Sequence, residues 1–385
     1  MAQLPEVSKR SAVVKPFLAM DMMREANARE AAGSDIIHME VGQPSSPPPR
    51  AVVEAARKAL DSELIGYTNA LGLPQLRERI ALHYLDTYGV RVPAERIVVT
   101  TGSSAGFVLA FLAAFEAGDK VALPMPGYPA YKNLLAGLGL EMVELATGPK
   151  TRWAADPAEI AAMGGDIQGV LIASPNNPTG TMMTPDALRQ VCDACKAAGL
   201  WFISDEIYHG LTYGVEQATA LQFSDDAIII NSFSKYFCMT GWRIGWMVVP
   251  ERMLRAVECL AQSLYISAPT LSQFAAMGAF EAREETEALK AVYAANREIL
   301  LEELPKAGFS EFTPVDGAFY IYTDVSRFTN DSFAFAEKML REIGVATTPG
   351  ADFDNVRGSR FLRMSFAGST LHMNDAVTRL KTWLK

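Results

Sequence analysis

Six short apolar runs punctuate the middle of the chain: Ile97 to Thr101, Val121 to Leu123, Val170 to Ala173, Trp201 to Ser204, Ala227 to Asn231 and Ile244 to Val249. Short, largely apolar runs that alternate with helical spacing belong to strands buried on both faces, so the pattern predicts a parallel or mixed sheet covered by helices. Nearly every run is followed by a polar cluster: Gly102-Ser103-Ser104, Pro126-Gly127-Tyr128, Ser174-Pro175-Asn176-Asn177-Pro178, Asp205-Glu206-Ile207-Tyr208 and Ser232-Phe233-Ser234-Lys235. Open α/β sheets take their ligands beyond the carboxyl ends of their strands. The reactive chemistry is therefore predicted along one edge of this sheet.

Lys235 is the most demanding of these residues, because an ammonium just past a buried strand is poorly solvated. Its pKa falls there, and a neutral amine can form a Schiff base with an aldehyde. Arg243, eight residues on, offers a planar fork for an anion, with Ser232 and Ser234 as further donors. A lysine beside an anion cradle points to pyridoxal phosphate; a surface lysine in a polar loop is the other reading. Gly102-Ser103-Ser104 opens an apolar helical run whose first N–H groups suit a phosphate, or else is an ordinary helix cap. Asp205 suits a protonated pyridine nitrogen, or else caps a helix. Tyr208 and Asn177 can donate to the ring's phenolic oxygen, although Asn177-Pro178-Thr179-Gly180 is also a good turn. Tyr128 can stack on the ring or simply pack in the core.

The rest of the chain sets bounds on this reading. With 385 residues, 49% of them hydrophobic and 21% charged, the composition is that of a soluble globular enzyme with two or three domains. The net charge of −9 argues against a nucleic-acid surface. Met1 to Pro16 lacks an apolar signal core and no run of eighteen apolar residues occurs, so a cytoplasmic protein without a membrane span is expected. Cys192 and Cys195 form a CxxC, but they fall within a helical pattern from Asp186 to Ala198 with no second pair or nearby histidine. They read as small buried hydrophobes, and no metal site is expected. Helices are predicted over Phe17 to Ala32, Ala51 to Asp61, Gln75 to Thr87 and Ser332 to Ile343, and from Glu251 to about Leu304 with a break at Ser267-Ala268-Pro269. Asp35 to Val41, Phe312 to Asp324 and Arg360 to Ala367 read as strands. The stiff, proline-rich connector Gly42 to Pro49 is the first expected domain boundary.

The motifs Asn177-Pro178-Thr179-Gly180, Asp205-Glu206-Ile207-Tyr208 and Ser232-Phe233-Ser234-Lys235, with Gly241, Arg243 and Gly245, stand in the order and spacing of a known family. On these, the chain resembles the class I/II aminotransferases of the pyridoxal-phosphate fold-type I superfamily, and the aspartate aminotransferases in particular. The resemblance implies an α/β fold with a mostly parallel seven-stranded sheet in a large domain, residues 47–285, and a smaller α+β domain from both chain ends, residues 1–46 and 286–385. It implies Lys235 as the Schiff-base lysine and proton shuttle, Asp205 as partner of the pyridinium, and Asn177 and Tyr208 at the phenolic oxygen. Ser103, Ser104, Ser232, Ser234 and Arg243 match phosphate contacts, and Tyr128 the stacking aromatic. Tyr67 resembles the tyrosine that reaches the neighbouring subunit's phosphate, which implies a homodimer with shared sites. Gly42 and Arg363, with Asn177, match the contacts to the substrate carboxylate; Arg360 is a rival to Arg363.

The activity implied is a ping-pong transfer of an amino group from an L-amino acid to a 2-oxo acid, with 2-oxoglutarate as the expected acceptor. Some aspartate-using members carry a lysine where this chain has Ser103, which argues against strict dicarboxylate specificity. Phe17, Leu18 and Met20 can line an apolar side-chain pocket or serve only helix packing. Carbon–sulfur β-elimination is the enzymatic alternative. An effector-binding module fused to a DNA-binding winged helix is another, but Met1 to Gly42 offers neither room nor basic surface for one.

Overall fold

The computed structural model describes residues 6–385, and in it the six runs become strands of one seven-stranded sheet. The strands are β1 Ile97–Thr100, β2 Lys120–Met125, β3 Glu141–Ala146, β4 Gly169–Ala173, β5 Trp201–Asp205, β6 Ile228–Ser232 and β7 Gly245–Val248. Their order across the sheet is β1-β7-β6-β5-β4-β2-β3, and every neighbouring pair is parallel except those of β7, which runs antiparallel to both β1 and β6. The carboxyl ends of the other six strands thus share one edge.

Period-two alternation explains why these strands are apolar throughout. Ile228 and Ile230 pack on one face with Phe107, Phe111 and Val257, whereas Ile229 packs on the other with Ile80, Leu188 and Ala275. Full burial of one such side chain stabilises the fold by roughly 1.5–3 kcal/mol, so a polar residue at any of these positions would be costly. Helices Gly102–Ala114 and Glu251–Tyr265 form one covering layer; Pro74–Tyr88, Pro185–Ala198 and Thr270–Ala279 form the other.

A second apolar cluster lies outside the large sheet. Strands β8, Tyr320–Asp324, and β9, Phe361–Ser365, pair antiparallel, with Thr348–Pro349 on the far side of β9. Ile37–His38 pairs in parallel with Val345–Ala346. Met22, Ala26, Ile37 and Met39 from the start of the chain share one cluster with Leu340, Leu362 and Val377 from its end. Both ends of the chain therefore build one core.

Several elements differ from the sequence reading. Strand β3 was not anticipated: it lies at the edge of the sheet, and most of its side chains stay at least partly exposed. Asp35 to Val41 shortens to a two-residue strand, Ile37–His38. Phe312 makes only an isolated bridge to Thr323, and the strand begins at Tyr320, because Pro314, Gly317 and a left-handed Ala318 (φ 58°) interrupt the extended run. The long helical segment breaks at Ile266 (φ 64°), close to the predicted Ser267-Ala268-Pro269, and again before Arg283–Glu303.

Candidate active site

Where β1, β5 and β6 end, a cavity of about 260 Å³ opens between the large sheet and the β8–β9 unit. Gly42, Ser103, Ser104, Tyr128, Asn177, Tyr208, Ser234, Lys235, Arg243 and Arg363 all line it, drawn from ten positions scattered over 322 residues of sequence. Ser232 and Asp205 lie just behind its wall as buried residues, 2% and 1% exposed. Tyr67 stands apart, 83% exposed on the outer surface. Arg360 also points away, paired with Asp324 at 3.4 Å, whereas Arg363 is buried.

The turn that presents Lys235 is fixed by its serines. Ser232 Oγ donates to Ser234 Oγ (2.8 Å) and accepts from the Ser234 N–H (3.0 Å), and Thr240 Oγ1 donates to Ser234 O (2.9 Å). These bonds spend both serine hydroxyls partly on the loop itself. Lys235 Nζ donates to the Gly42 carbonyl at 2.7 Å and lies 5.8 Å from the centre of the Tyr208 ring. Burial, reinforced by the charges of Arg363 and Arg243 and opposed by Asp205, lowers its pKa from 10.5 to about 8.

Asp205 accepts from the Ile207 N–H (3.1 Å) and from the Tyr131 hydroxyl. Burial raises its pKa to about 6, although both bonds and the Lys235 charge pull the other way. Tyr131 was not foreseen. Its position three residues beyond Tyr128, on helix Pro129–Leu138, is the signal that could have found it, since residues so spaced share a helix face. Tyr128 meets Tyr131 edge-on, with ring centres 5.4 Å apart.

At one end of the cavity the backbone packs unusually close. Gly102 begins its helix at φ +70°, where a Cβ would fall 2.5 Å from Arg243 Nη2. A Cβ on Gly245 would meet Asn231 O at 2.8 Å and Ser103 N at 3.0 Å. Only glycine at both positions lets β7, the Arg243 guanidinium and the helix N-terminus converge. The N–H groups of that first turn and an arginine now face one spot, an arrangement that suits an anion.

At the other end Arg363 lies between aromatic rings, 4.4 Å from the centre of Tyr320 and 4.8 Å from that of Phe353. Its Nη1 donates to Asn177 Oδ1 (2.8 Å) and its Nη2 to Glu40 O (2.5 Å) and Thr348 Oγ1 (3.1 Å), while Nε has no partner. Of its five N–H groups two stay free for a carboxylate. Tyr320 also shares a hydrogen bond with Tyr208, 2.8 Å between hydroxyls. Tyr320 and Phe353 carry no local sequence signal, because their place depends on how β8 and β9 pair.

Phe17 and Met20 line the same cavity, and Phe17 meets Tyr128 edge-on at 6.1 Å. Leu18 and Ala19 donate backbone N–H groups to the Asp352 carboxylate at 3.0 and 3.2 Å, which fixes this strap across the opening. Cys192 and Cys195 are buried in helix Pro185–Ala198 and do not line the cavity. No helix among the described residues is long and apolar enough to cross a membrane.

Comparison with known proteins places this geometry in context. The family model described as aminotransferase class I and II matches residues 34–380. The chain is 47% identical to a valine–pyruvate aminotransferase of Mycobacterium tuberculosis, over 96% of this chain and 97% of that protein. It superposes on the crystal structure of an aminotransferase from the same organism with a TM-score of 0.97 at 46% identity, covering 99% of both chains. An aspartate aminotransferase of Thermus thermophilus, solved with maleate, matches with a TM-score of 0.93 at 29% identity over 98% of this chain and all of that one.

Proposed function

The chain belongs to the class I and II aminotransferases, and we propose that it uses pyridoxal phosphate to move the amino group of an L-amino acid with an apolar side chain to a small 2-oxo acid. The observation that carries the reading is the amine of Lys235, held with a lowered pKa between an anion site at Gly102 and Arg243 and a carboxylate site at Arg363. The donor set fits the cofactor. The glycine-bounded helix start and Arg243 suit its phosphate, and Asp205, buried with its pKa raised, lacks the cationic partner that a ring nitrogen would provide. Bound there, pyridoxal phosphate supplies an aldehyde carbon and a ring that withdraws electrons from the substrate Cα.

The chain's own groups do the rest. Lys235 Nζ, with a pKa near 8, is neutral often enough near pH 7 to take a proton from the substrate Cα and return it as its ammonium. The two free N–H groups of Arg363 fix the α-carboxylate, and the flanking Tyr320 and Phe353 rings keep water off that ion pair. Tyr131 holds the Asp205 carboxylate in place for a cation.

The apolar preference rests on the strap. Phe17 and Met20 line the cavity, and of the two carboxylates among the described residues that share it, Glu40 is engaged by His38 at 2.8 Å and Asp352 would repel a second substrate carboxylate. The valine–pyruvate relative supports the same direction, and on this reading pyruvate stands ahead of 2-oxoglutarate as acceptor. Half-reactions test it: valine and alanine should convert the enzyme to its amino form faster than aspartate or glutamate, and pyruvate should reverse the change. Preferential conversion by aspartate, reversed only by 2-oxoglutarate, would sink the apolar assignment.

A further inference from the structure

A second cavity, of about 410 Å³, lies on the rear of the loops that carry Tyr208 and Lys235. It is larger than the one in front and falls within the size of pockets that take small molecules, roughly 300–1,000 Å³. Aromatic side chains form its walls, chiefly Tyr88, Tyr236, Phe237, Trp246 and Phe280. His83 projects among them, edge-on to Phe237 and Trp246. Burial lowers its pKa to about 4, so the imidazole is a neutral polar group inside an aromatic box.

The mouth carries Arg79, Arg283 and Lys290 against Asp86 and Glu287, an excess of one positive charge on a chain whose net charge is −9. Glu287 is already engaged by the Tyr236 hydroxyl (2.5 Å) and faces Lys290 at 4.0 Å. Arg79 lies over the Phe280 ring at 4.5 Å, and its ion pair with Glu281 is long, 3.6 Å. Arg283 has no ion-pair partner among the described residues, since the arginine–carboxylate pairs nearest in sequence belong to other residues.

The floor ties this cavity to the active site. His209 and Gly210 follow Tyr208 directly, and Tyr236 and Phe237 follow Lys235. The two loops touch there: a Cβ on Gly210 would fall 2.5 Å from the Tyr236 ring. His209 is held as a neutral imidazole by the Tyr88 hydroxyl at Nδ1 (2.7 Å) and the Ser174 carbonyl at Nε2 (3.0 Å). Gln217 bonds both Tyr88 and the Gly210 N–H, at 2.8 and 2.6 Å. A guest seated on this floor would bear on both loops at once.

We propose that this rear cavity is an effector site for an aromatic monocarboxylate, its ring against the half-buried Tyr88 and Phe280 and its carboxylate at Arg79 and Arg283. Aromatic side chains set among polar groups, with a cationic rim, match an aryl acid: the ring gains aromatic contacts and the carboxylate a guanidinium fork. Occupancy would stiffen the Gly210–Tyr236 contact and so alter turnover without entering the front cavity.

The test uses the full-length holoenzyme and indole-3-acetate, which has neither an amino nor an oxo group at its α-carbon and so cannot turn over. Titration calorimetry should give saturable binding, weakened about tenfold or more in the Arg79→Gln/Arg283→Gln variant, the size of loss that follows from removing charge-assisted bonds. Without the probe that variant should keep its kcat/KM. Inhibition or activation by the probe should be non-competitive with the amino donor. No binding at millimolar probe, unchanged binding in the double variant, or purely competitive behaviour lost in Arg363→Gln would each overturn the proposal.

Discussion

Lys235 concentrates the residue-scale physics of this enzyme, because its amine is kept where charge is disfavoured. Its pKa of about 8 lies below the 10.5 of an ordinary lysine, so the unfolded chain takes up this proton before the folded one as pH falls. The folded cofactor-free protein is thus penalised progressively from pH 10.5 down to pH 8, and fully below that, by up to about 3 kcal/mol. Lys235→Met, which keeps the stem and drops the charge, should make the cofactor-free protein more stable than the parent at pH 7, with the gain disappearing towards pH 10.5. Urea unfolding of both proteins across that range would show it; a constant difference would mean that packing rather than ionisation is responsible. Tyr131 invites a second comparison. Tyr131→Phe leaves the ring against Phe107, 5.2 Å away, but takes the hydroxyl from Asp205. An unsatisfied buried acceptor costs about 1–3 kcal/mol, and Asp205 would hold its proton to higher pH. Cofactor affinity should fall roughly tenfold, and the acidic limb of its pH dependence should move upward, in equilibrium titrations followed by cofactor absorbance. Residues of this kind were legible to the extent that their chemistry is local. Lys235, Asp205 and Asn177 follow apolar runs and were placed by that alone, whereas Tyr320, opposite Tyr208, becomes a neighbour only through tertiary packing.

Elements were readable where burial imposed a pattern. β6 is Ile-Ile-Ile-Asn-Ser with every residue buried, and nothing except a central strand suits it. β3 is Glu-Met-Val-Glu-Leu-Ala at the sheet's edge, where solvent tolerates two glutamates and erases the signal. The same logic identifies the start of helix Gly102–Ala114 as the most exacting element. Its position depends on the absence of a side chain at Gly102 and Gly245. Gly102→Ala would force a Cβ to within 2.5 Å of Arg243 at a φ of +70° that alanine resists. The core beneath is unaffected, since Phe107, Leu109 and Ala110 keep their contacts. Thermal unfolding should shift by only a few degrees, roughly the effect of 1 kcal/mol in a domain this size, while cofactor affinity drops by about tenfold or more because the anion site is distorted. Unaltered retention of pyridoxal phosphate on dialysis would show that the phosphate sits elsewhere.

At the scale of the whole molecule, one predicted site residue, Tyr67, stands on the outer surface, away from the cavity of its own chain. Tyr67 is 83% exposed, beside Leu64 at 92% and Ile65 at 41%. The segment is bound to the break between two helices: Thr270 Oγ1 donates to Gly66 O, and Thr68 N to Ser267 Oγ at 3.5 Å. That break adds the exposed Leu264 and Ile266, 48% and 51%. Large apolar side chains gathered this way suit an interface, and we propose that a second copy of the chain covers them. A two-fold dimer that covers the patch would carry Tyr67 towards a neighbour's cavity, the arrangement that the family resemblance implies. Complementation distinguishes it from a surface role. Lys235→Ala and Tyr67→Ala, each poorly active alone, can be unfolded together and refolded as a mixture. If each site takes its lysine from one chain and its tyrosine from the other, a mixed dimer has one native and one doubly altered site. Random pairing makes half the dimers mixed, so the mixture should recover about a quarter of the parent activity. If Tyr67 served only its own chain, every mixed dimer would lack a native site, and refolding together would restore nothing.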